Sequence, residues 1–247
     1  MENILSSNDI KEMKRIGKLA QIFLQKLKRI IKIGISTKDI ESSFNDYLEK
    51  HRVESAFFGY SGYPGSLCVS VNEEIIHGIP NENKIVKDGD MVSVDLGIKN
   101  NGLYVDCAYT YLVGHVDSFK KKLAKVGLKA LMSGIREARC GNTTGDIGSA
   151  VQKVVEENGF SVIRRFVGHG VGKDLHCYPE IPNFGEKAKG APLTEGMGIA
   201  IEPMVSAGSY DVEVLDDGWT VKTKDNSLSC HFEHTVVVTS KGPLIIT

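Results

Sequence analysis

Apolar residues recur at helical spacing near the start of the chain: Ile16, Leu19, Ala20, Phe23, Leu24 and Leu27 line one face. Asn8 or Asp9 is placed to cap this helix, with Glu12 in a capping box and Gly34 to stop it. A second helix is predicted from about Ser36–Thr37 to His51, with Ile40, Phe44, Tyr47 and Leu48 on its apolar face. After a Gly/Tyr/Pro-rich loop, FFGYSGYPGS, the period changes to two. LCVSV reads as a strand, and Met91–Gly114 (MVSVDLGIKNNGLYVDCAYTYLVG) as two strands around an Asn-Asn-Gly turn. Helical spacing returns over Lys120–Glu137 and Ile147–Glu157, with Gly141-Asn142-Thr143-Thr144 between them and Gly159 after. A strand through Val162 leads into the Gly-rich VGHGVGKDLH, and further strands are predicted at Ile199–Val205 and Phe232–Thr239.

The second half repeats the first. Gly34, Thr37, Asp39, Ile40 and Gly89 recur as Gly141, Thr144, Asp146, Ile147 and Gly196, each 107 residues on. One ungapped offset argues for a duplicated helix-helix-hairpin unit, covering roughly residues 9–114 and 116–240. The expected architecture is α/β (α+β): one domain over 1–247, whose two halves hold antiparallel sheets around a central cleft.

The hairpin isolates acids. Val92, Val94 and Leu96 share one face, and Ser93, Asp95 and Gly97 the other. On the return strand Val105, Cys107 and Tyr109 are apolar, with Asp106 opposite them beside Ala108 and Thr110. Asp95 and Asp106 therefore come within a residue or two of opposition, depending on whether Gly102 carries a bulge. Two carboxylates about 4 Å apart repel by roughly 4 kcal/mol at an effective dielectric near 20. Such a pair calls for a shared proton or a cation. The same offset carries Asp95 onto Glu202. The partner of Glu202 is either Glu233, 31 residues on, or Glu213, at offset 107 from Asp106; spacing leaves the choice open. With His169, these candidates amount to four carboxylates and one imidazole, a charge that two divalent cations would balance. Two-metal sites lower the pKa of a shared water toward about 7. Oxygen-rich ligation with one imidazole suits Mn, Fe(II), Co or Zn and argues against a structural thiolate zinc.

Composition narrows the field. The 247 residues are 41% hydrophobic and 25% charged, an ordinary globular mix. A net charge of −1, from 30 basic and 31 acidic residues, makes no electrostatic case for nucleic acid or an anionic membrane. The cysteines at 68, 107, 140, 177 and 230, an odd count, show no CxxC spacing and suggest neither a disulfide framework nor a zinc ribbon. No basic region followed by an apolar core opens the chain and no run reaches the length of a membrane span, so a cytoplasmic protein is expected. GHGVGKD fails the phosphate-loop spacing, because Val167 stands at the first Gly position and Asp174 follows Lys173. HFEHT lacks the HExxH order.

Several motifs together carry a family resemblance: GYPGSLCVSVNEEIIHGIP, VDLG with VDCA eleven residues on, GHGVG followed by a His, IEPM, DGWTVKTKD and HFEHT. Over nearly its whole length the chain resembles the type I methionine aminopeptidases of compact bacterial form. The resemblance implies a pseudo-twofold "pita-bread" fold forming a single catalytic domain. It implies removal of the initiator methionine from nascent proteins whose second residue is small, by a hydroxide bridging two divalent metal ions (Co, Mn, Fe(II) or Zn). In that scheme Asp95 would bind one metal, His169 and Glu202 the other, and Asp106 and Glu233 both, which favours Glu233 over Glu213. Glu202 would also act as general base. His77 would contact the scissile amide nitrogen, and His176 the developing oxyanion. Tyr60, Tyr63, Cys68 and Trp219, with Phe57 and Leu175, would wall the methionine pocket.

Two positions depart from the family. Leu175 and Cys177 stand where members often have an aromatic residue and an acid. Leu175 implies a looser pocket wall and a higher KM, and Cys177 a sensitivity to thiol reagents. The implied partners are the N-terminal Met of nascent polypeptides and the ribosome, with no direct nucleic-acid or membrane contact and a monomeric state. One rival is an X-Pro aminopeptidase or dipeptidase of the same fold. Those share the five ligands but usually carry an extra N-terminal domain, where only a short lead precedes the first helix here. The other is a non-catalytic binding relative, which would have lost ligands. His51, His115, His231 and His234 read as ordinary loop or core histidines.

Overall fold

The computed structural model describes residues 4–247. Among the described residues, four α-helices, α1 (Ser7–Ile30), α2 (Thr37–His51), α3 (Ser118–Glu137) and α4 (Thr144–Glu156), pack against antiparallel strands arranged in four sheets. Helix α1 starts earlier than its apolar spacing suggests. Its cap is Ser6, not Asn8 or Asp9: the Asp9 N–H donates to Ser6 Oγ (3.2 Å), and the Asp9 carboxylate accepts the Ser6 N–H (2.8 Å). Glu12 is turned instead to Arg15 and Asn100, at 2.8 Å each. The helix ends at a cap on Ile31, ahead of Gly34, whose φ of 91° makes the turn toward α2.

Helices α2 and α4 begin alike. Ser36 with Asp39, and Thr143 with Asp146, form capping boxes. The backbone around them matches too. The Thr37 N–H donates to the Lys84 carbonyl and the Thr144 N–H to that of Ala191, both at 2.9 Å. The Gly34 N–H donates to Val86 (2.8 Å) and the Gly141 N–H to Leu193 (3.3 Å). Each of these bonds recurs 107 residues on.

In the first half, Met91–Asn100 pairs with Leu103–Leu112 in unbroken register, Asp95 opposite Ala108 and Gly97 opposite Asp106. Gly102 carries no bulge; Asn101 and Gly102, with φ of 50° and 73°, make a tight two-residue turn. Val92, Val94, Leu96, Val105 and Cys107 pack into a core with α1 and α2. Ile199, Ile201, Val205 and Val236 do the same with α3 and α4. Burying these apolar faces, at roughly 25 cal/mol per Å² of apolar surface, is what holds the helices on the sheets.

The second hairpin departs from expectation. Ile199–Val205 is two strands, Gly198–Ile201 and Met204–Ser206, and the predicted Phe232–Thr239 strand starts only at His234, after a separate Ser229–His231. Both breaks fall at the acids. Pro203 has no N–H to offer a ladder, and Glu233 donates its N–H to the Ala108 carbonyl of the other half (3.0 Å). The register is unshifted across the gap, Ile201 opposite His234 and Met204 opposite His231, so Glu202 and Glu233 face each other within it. The connection from 207 to 228 folds as a small hairpin, Val212–Val214 with Val221–Thr223, which adds to Glu74–Ile76 and carries Trp219.

The halves meet along their return strands. The Asp106 N–H donates to Thr235 Oγ1 (2.8 Å), whose hydroxyl donates back to the Asp106 carbonyl (2.9 Å). The His231 N–H donates to Thr110 Oγ1 (2.9 Å), whose hydroxyl donates to the His231 carbonyl (2.8 Å). Thr235 lies 125 residues after Thr110 and His231 lies 125 after Asp106, so each link is the pseudosymmetric image of the other.

Candidate metal centre and substrate cavity

The thirteen residues singled out from the sequence all line one cavity of about 930 Å³. Asp95 and Asp106 project from the inner face of the first hairpin; Glu202 and Glu233 come from the break in the second. Asp95, Asp106 and Glu233 each present an oxygen, all within 4.8 Å of one another, and His169, Glu202 and Glu233 form a second such set. Glu233 belongs to both. Glu213 belongs to neither: its carboxylate meets Lys222 Nζ at 3.1 Å on the small hairpin. His176 approaches the same atoms, in a third set with Asp106 and His169.

These groups lack partners of their own. His169 Nδ1 lies 3.0 Å from the Gly170 carbonyl and so donates to it. Its Nε2 is left with a bare lone pair, 3.5 Å from Glu202 Oε1 and 3.9 Å from Asp106 Oδ2. Acceptor therefore faces acceptor. Among the described residues, Asp95 Oδ1, Asp106 Oδ1 and Glu233 Oε1 are also buried without a hydrogen bond, a rare condition in native proteins. Burial pushes Asp95 up to about 7 and Glu202 to about 8, and lifts Asp106 and Glu233 well above the carboxylate range, with neighbouring carboxylates adding to the rise at the two aspartates and Glu233. Burial also lowers His169 to about 3, keeping the imidazole neutral. Oxygen donors with one neutral nitrogen, crowded and unsatisfied, fit divalent cations, which would replace the missing partners.

One wall of the cavity is apolar. Phe57, Tyr63, Cys68 and Leu175 are buried in one cluster, with Trp219 packed against it. Gly97 makes that possible, since a Cβ there would lie 2.7 Å from the Phe57 ring. The Tyr63 hydroxyl is taken up by the Gly78 (3.1 Å) and Leu67 (3.2 Å) carbonyls, which leaves its ring to the pocket, edge-on to Trp219 at 5.1 Å. Tyr60 differs from the other pocket residues: it is 39% exposed, and its hydroxyl lies 2.9 Å from His176 Nδ1. His77 sits at φ 58°, its ring between Phe166 (5.8 Å) and Trp219 (6.3 Å).

Sequence reasoning missed three residues here. Ile76 and Phe166 line the cavity. They stand next to His77 and three residues before His169, and proximity to those histidines was the only available signal. His231, read as ordinary core, lies with its ring against Glu202.

Residues 11–240 match metallopeptidase family M24. The chain is 46% identical over 235 residues to methionine aminopeptidase 1 of Bacillus subtilis, covering 95% of this chain and 94% of that one. It superposes on the crystal structure of a methionine aminopeptidase from Thermotoga maritima with a TM-score of 0.98 at 44% identity, covering 100% of this chain and 99% of that one. A prolidase from Pyrococcus horikoshii, at 22% identity and a TM-score of 0.80, shares the fold; the match spans this whole chain and 64% of that one. A partnerless cluster of carboxylates and imidazole, in a fold shared across this group, thus has its explanation: the chain belongs to metallopeptidase family M24, on its methionine aminopeptidase branch.

Proposed function

We propose that the protein removes the N-terminal methionine from polypeptides whose second residue is small. The observation that carries this reading is the meeting, in one cavity, of the carboxylate–imidazole cluster and an apolar wall built by Phe57, Tyr63, Cys68, Leu175 and Trp219. Asp95, Asp106, His169, Glu202 and Glu233 would hold two divalent cations, Asp106 and Glu233 shared between them. Bound cations of this kind activate water and polarise a carbonyl.

The chain's own groups do the rest. Phe57, Tyr63, Cys68, Leu175 and Trp219 take the methionine side chain and exclude water from it. Glu202, its Oε1 3.5 Å from His169 Nε2 and ionised when cations are held, is placed to accept a proton as general base. His176 supplies a donor to the developing oxyanion: with the Tyr60 hydroxyl donating to Nδ1, the proton sits on Nε2. Burial lowers His176 and holds it neutral. His77, lowered to about 4 by burial and so also neutral near pH 7, offers a contact to the scissile amide nitrogen. Nascent chains, presented at the ribosome in the cytoplasm, are the natural substrates, and the cavity is built from one chain, so a monomer suffices.

The test compares Met-Ala-Ser with an X-Pro peptide, before and after chelation. Cleavage of Met-Ala-Ser alone, abolished by chelator and restored by divalent cation, is expected. Preference for the X-Pro peptide, or indifference to chelator, overturns the reading. A second expectation concerns Leu175, which is 2% exposed in the pocket cluster. Leu175→Phe adds apolar surface to the wall, at about 0.8 kcal/mol per buried methylene. KM for Met-Ala-Ser should then fall about threefold, and an unchanged KM would show that Leu175 does not limit the pocket.

A further inference from the structure

The scheme above leaves His231 unused, yet its position is not that of a packing residue. The side chain is 1% exposed, and neither ring nitrogen has a hydrogen-bond partner among the described residues. Its backbone N–H and carbonyl are both engaged by Thr110, which fixes where the side chain starts. Its Nε2 lies 3.6 Å from Glu202 Oε2, while Glu202 Oε1 lies 3.5 Å from His169 Nε2. The two oxygens of one carboxylate thus each face an imidazole, from opposite sides. By the pseudosymmetry of the seam, His231 occupies in the second half the place that Asp106 holds in the first. A buried imidazole with two unused nitrogens is costly unless one of them serves a neighbour.

We propose that His231 is a positioning residue for Glu202, its Nε2–H donating to Oε2 and so aiming Oε1 at the cluster around His169. A shift of about 0.8 Å brings the pair to charge-assisted hydrogen-bond length. The inference rests on the proposed function, in which Glu202 is both a ligand and the base. Each task needs a particular lone pair, and a carboxylate free to rotate serves neither well. Partners of this outer kind are worth 10–100-fold in activity or metal affinity.

Side-chain geometry supplies the test. The amide nitrogen of a glutamine reaches where Nε2 stands, whereas that of an asparagine reaches only the Nδ1 position. Chelator-treated wild type, His231→Gln, His231→Asn and His231→Leu are titrated calorimetrically with Mn²⁺ and assayed on Met-Ala-Ser. In the Leu and Asn variants kcat should fall about 10–100-fold, with KM within about threefold and the Mn²⁺ Kd raised about tenfold or more, while Gln stays within about threefold of wild type throughout. A Leu variant equal to wild type overturns the assignment. So does an Asn variant that performs as well as Gln, or a Gln variant as poor as Asn. If Leu does not fold, the Gln–Asn comparison decides. Wild type that neither binds Mn²⁺ nor cleaves the peptide would instead sink the proposed function itself.

Discussion

Asp106→Asn is expected to lose about a thousandfold in kcat/KM on Met-Ala-Ser, while the chelated variant melts no lower than chelated wild type. The two halves of this result have one cause. Asp106 is 3% exposed and shares its surroundings with Asp95, Glu202 and Glu233. Asparagine keeps the shape and cannot ionise. Without cations, folding no longer carries the cost of protonating or burying that carboxylate among its neighbours, so stability holds or rises. With cations, a shared ligand is lost, and loss of such preorganised electrostatics typically costs orders of magnitude in rate. Thermal melts with and without Mn²⁺, beside steady-state kinetics, check both signs. A variant that keeps a tenth of the wild-type rate would remove Asp106 from the ligand set, and a sharply lowered melting point would make it a structural residue.

The metal-free protein should lose stability as pH rises from 6.5 to 8.5, by about 5 °C or more in Tm at this chain length. Asp95 at about 7 and Glu202 at about 8 are raised from 3.8 and 4.5, chiefly by burial, and Asp106 and Glu233 are raised further. A carboxylate with a raised folded pKa stabilises fully below its unfolded pKa, and that contribution is lost as pH climbs through the folded one. The buried histidines act oppositely. His77, His169 and His234 are lowered by burial to about 4, 3 and 4, so they oppose folding only below the ordinary imidazole pKa. Above pH 6.5 their effect is spent and the carboxylates dominate. Divalent cation should therefore raise Tm more at pH 8.5 than at 6.5, because bound cations favour the ionised acids. Differential scanning fluorimetry over that range, with chelator and with Mn²⁺, reads both effects. A metal-free Tm that stays flat or rises would mean the four acids do not share one dry site.

Much of this arrangement was legible because period and offset are local properties. The alternation around Asp95 and Asp106 requires only a strand, and the turn at Asn101-Gly102 names its own geometry. Four helices followed from spacing, with ends displaced where a cap competed: Ser6 and Asp9 pair with each other, which leaves Glu12 for Arg15. What stayed hidden depends on contacts distant in sequence. The second hairpin could not be seen to break at its acids, because the partner that Glu233 bonds instead, Ala108, lies in the other half. Glu213 competed with Glu233 until the small hairpin carried it off to Lys222. His231 was unremarkable beside Phe232 until the fold set it against a carboxylate 29 positions earlier.

The seam between the halves has a mechanical consequence. Asp95 and Asp106 belong to one half, and His169, Glu202 and Glu233 to the other. Any ion seated among them is a clasp across two separately packed shells. Threonine hydroxyls and the Glu233–Ala108 bond latch the same edge. Catalytic readiness and the grip of one shell on the other are therefore set by the same ions, and a protein stripped of them should feel the loss at its waist before either core does.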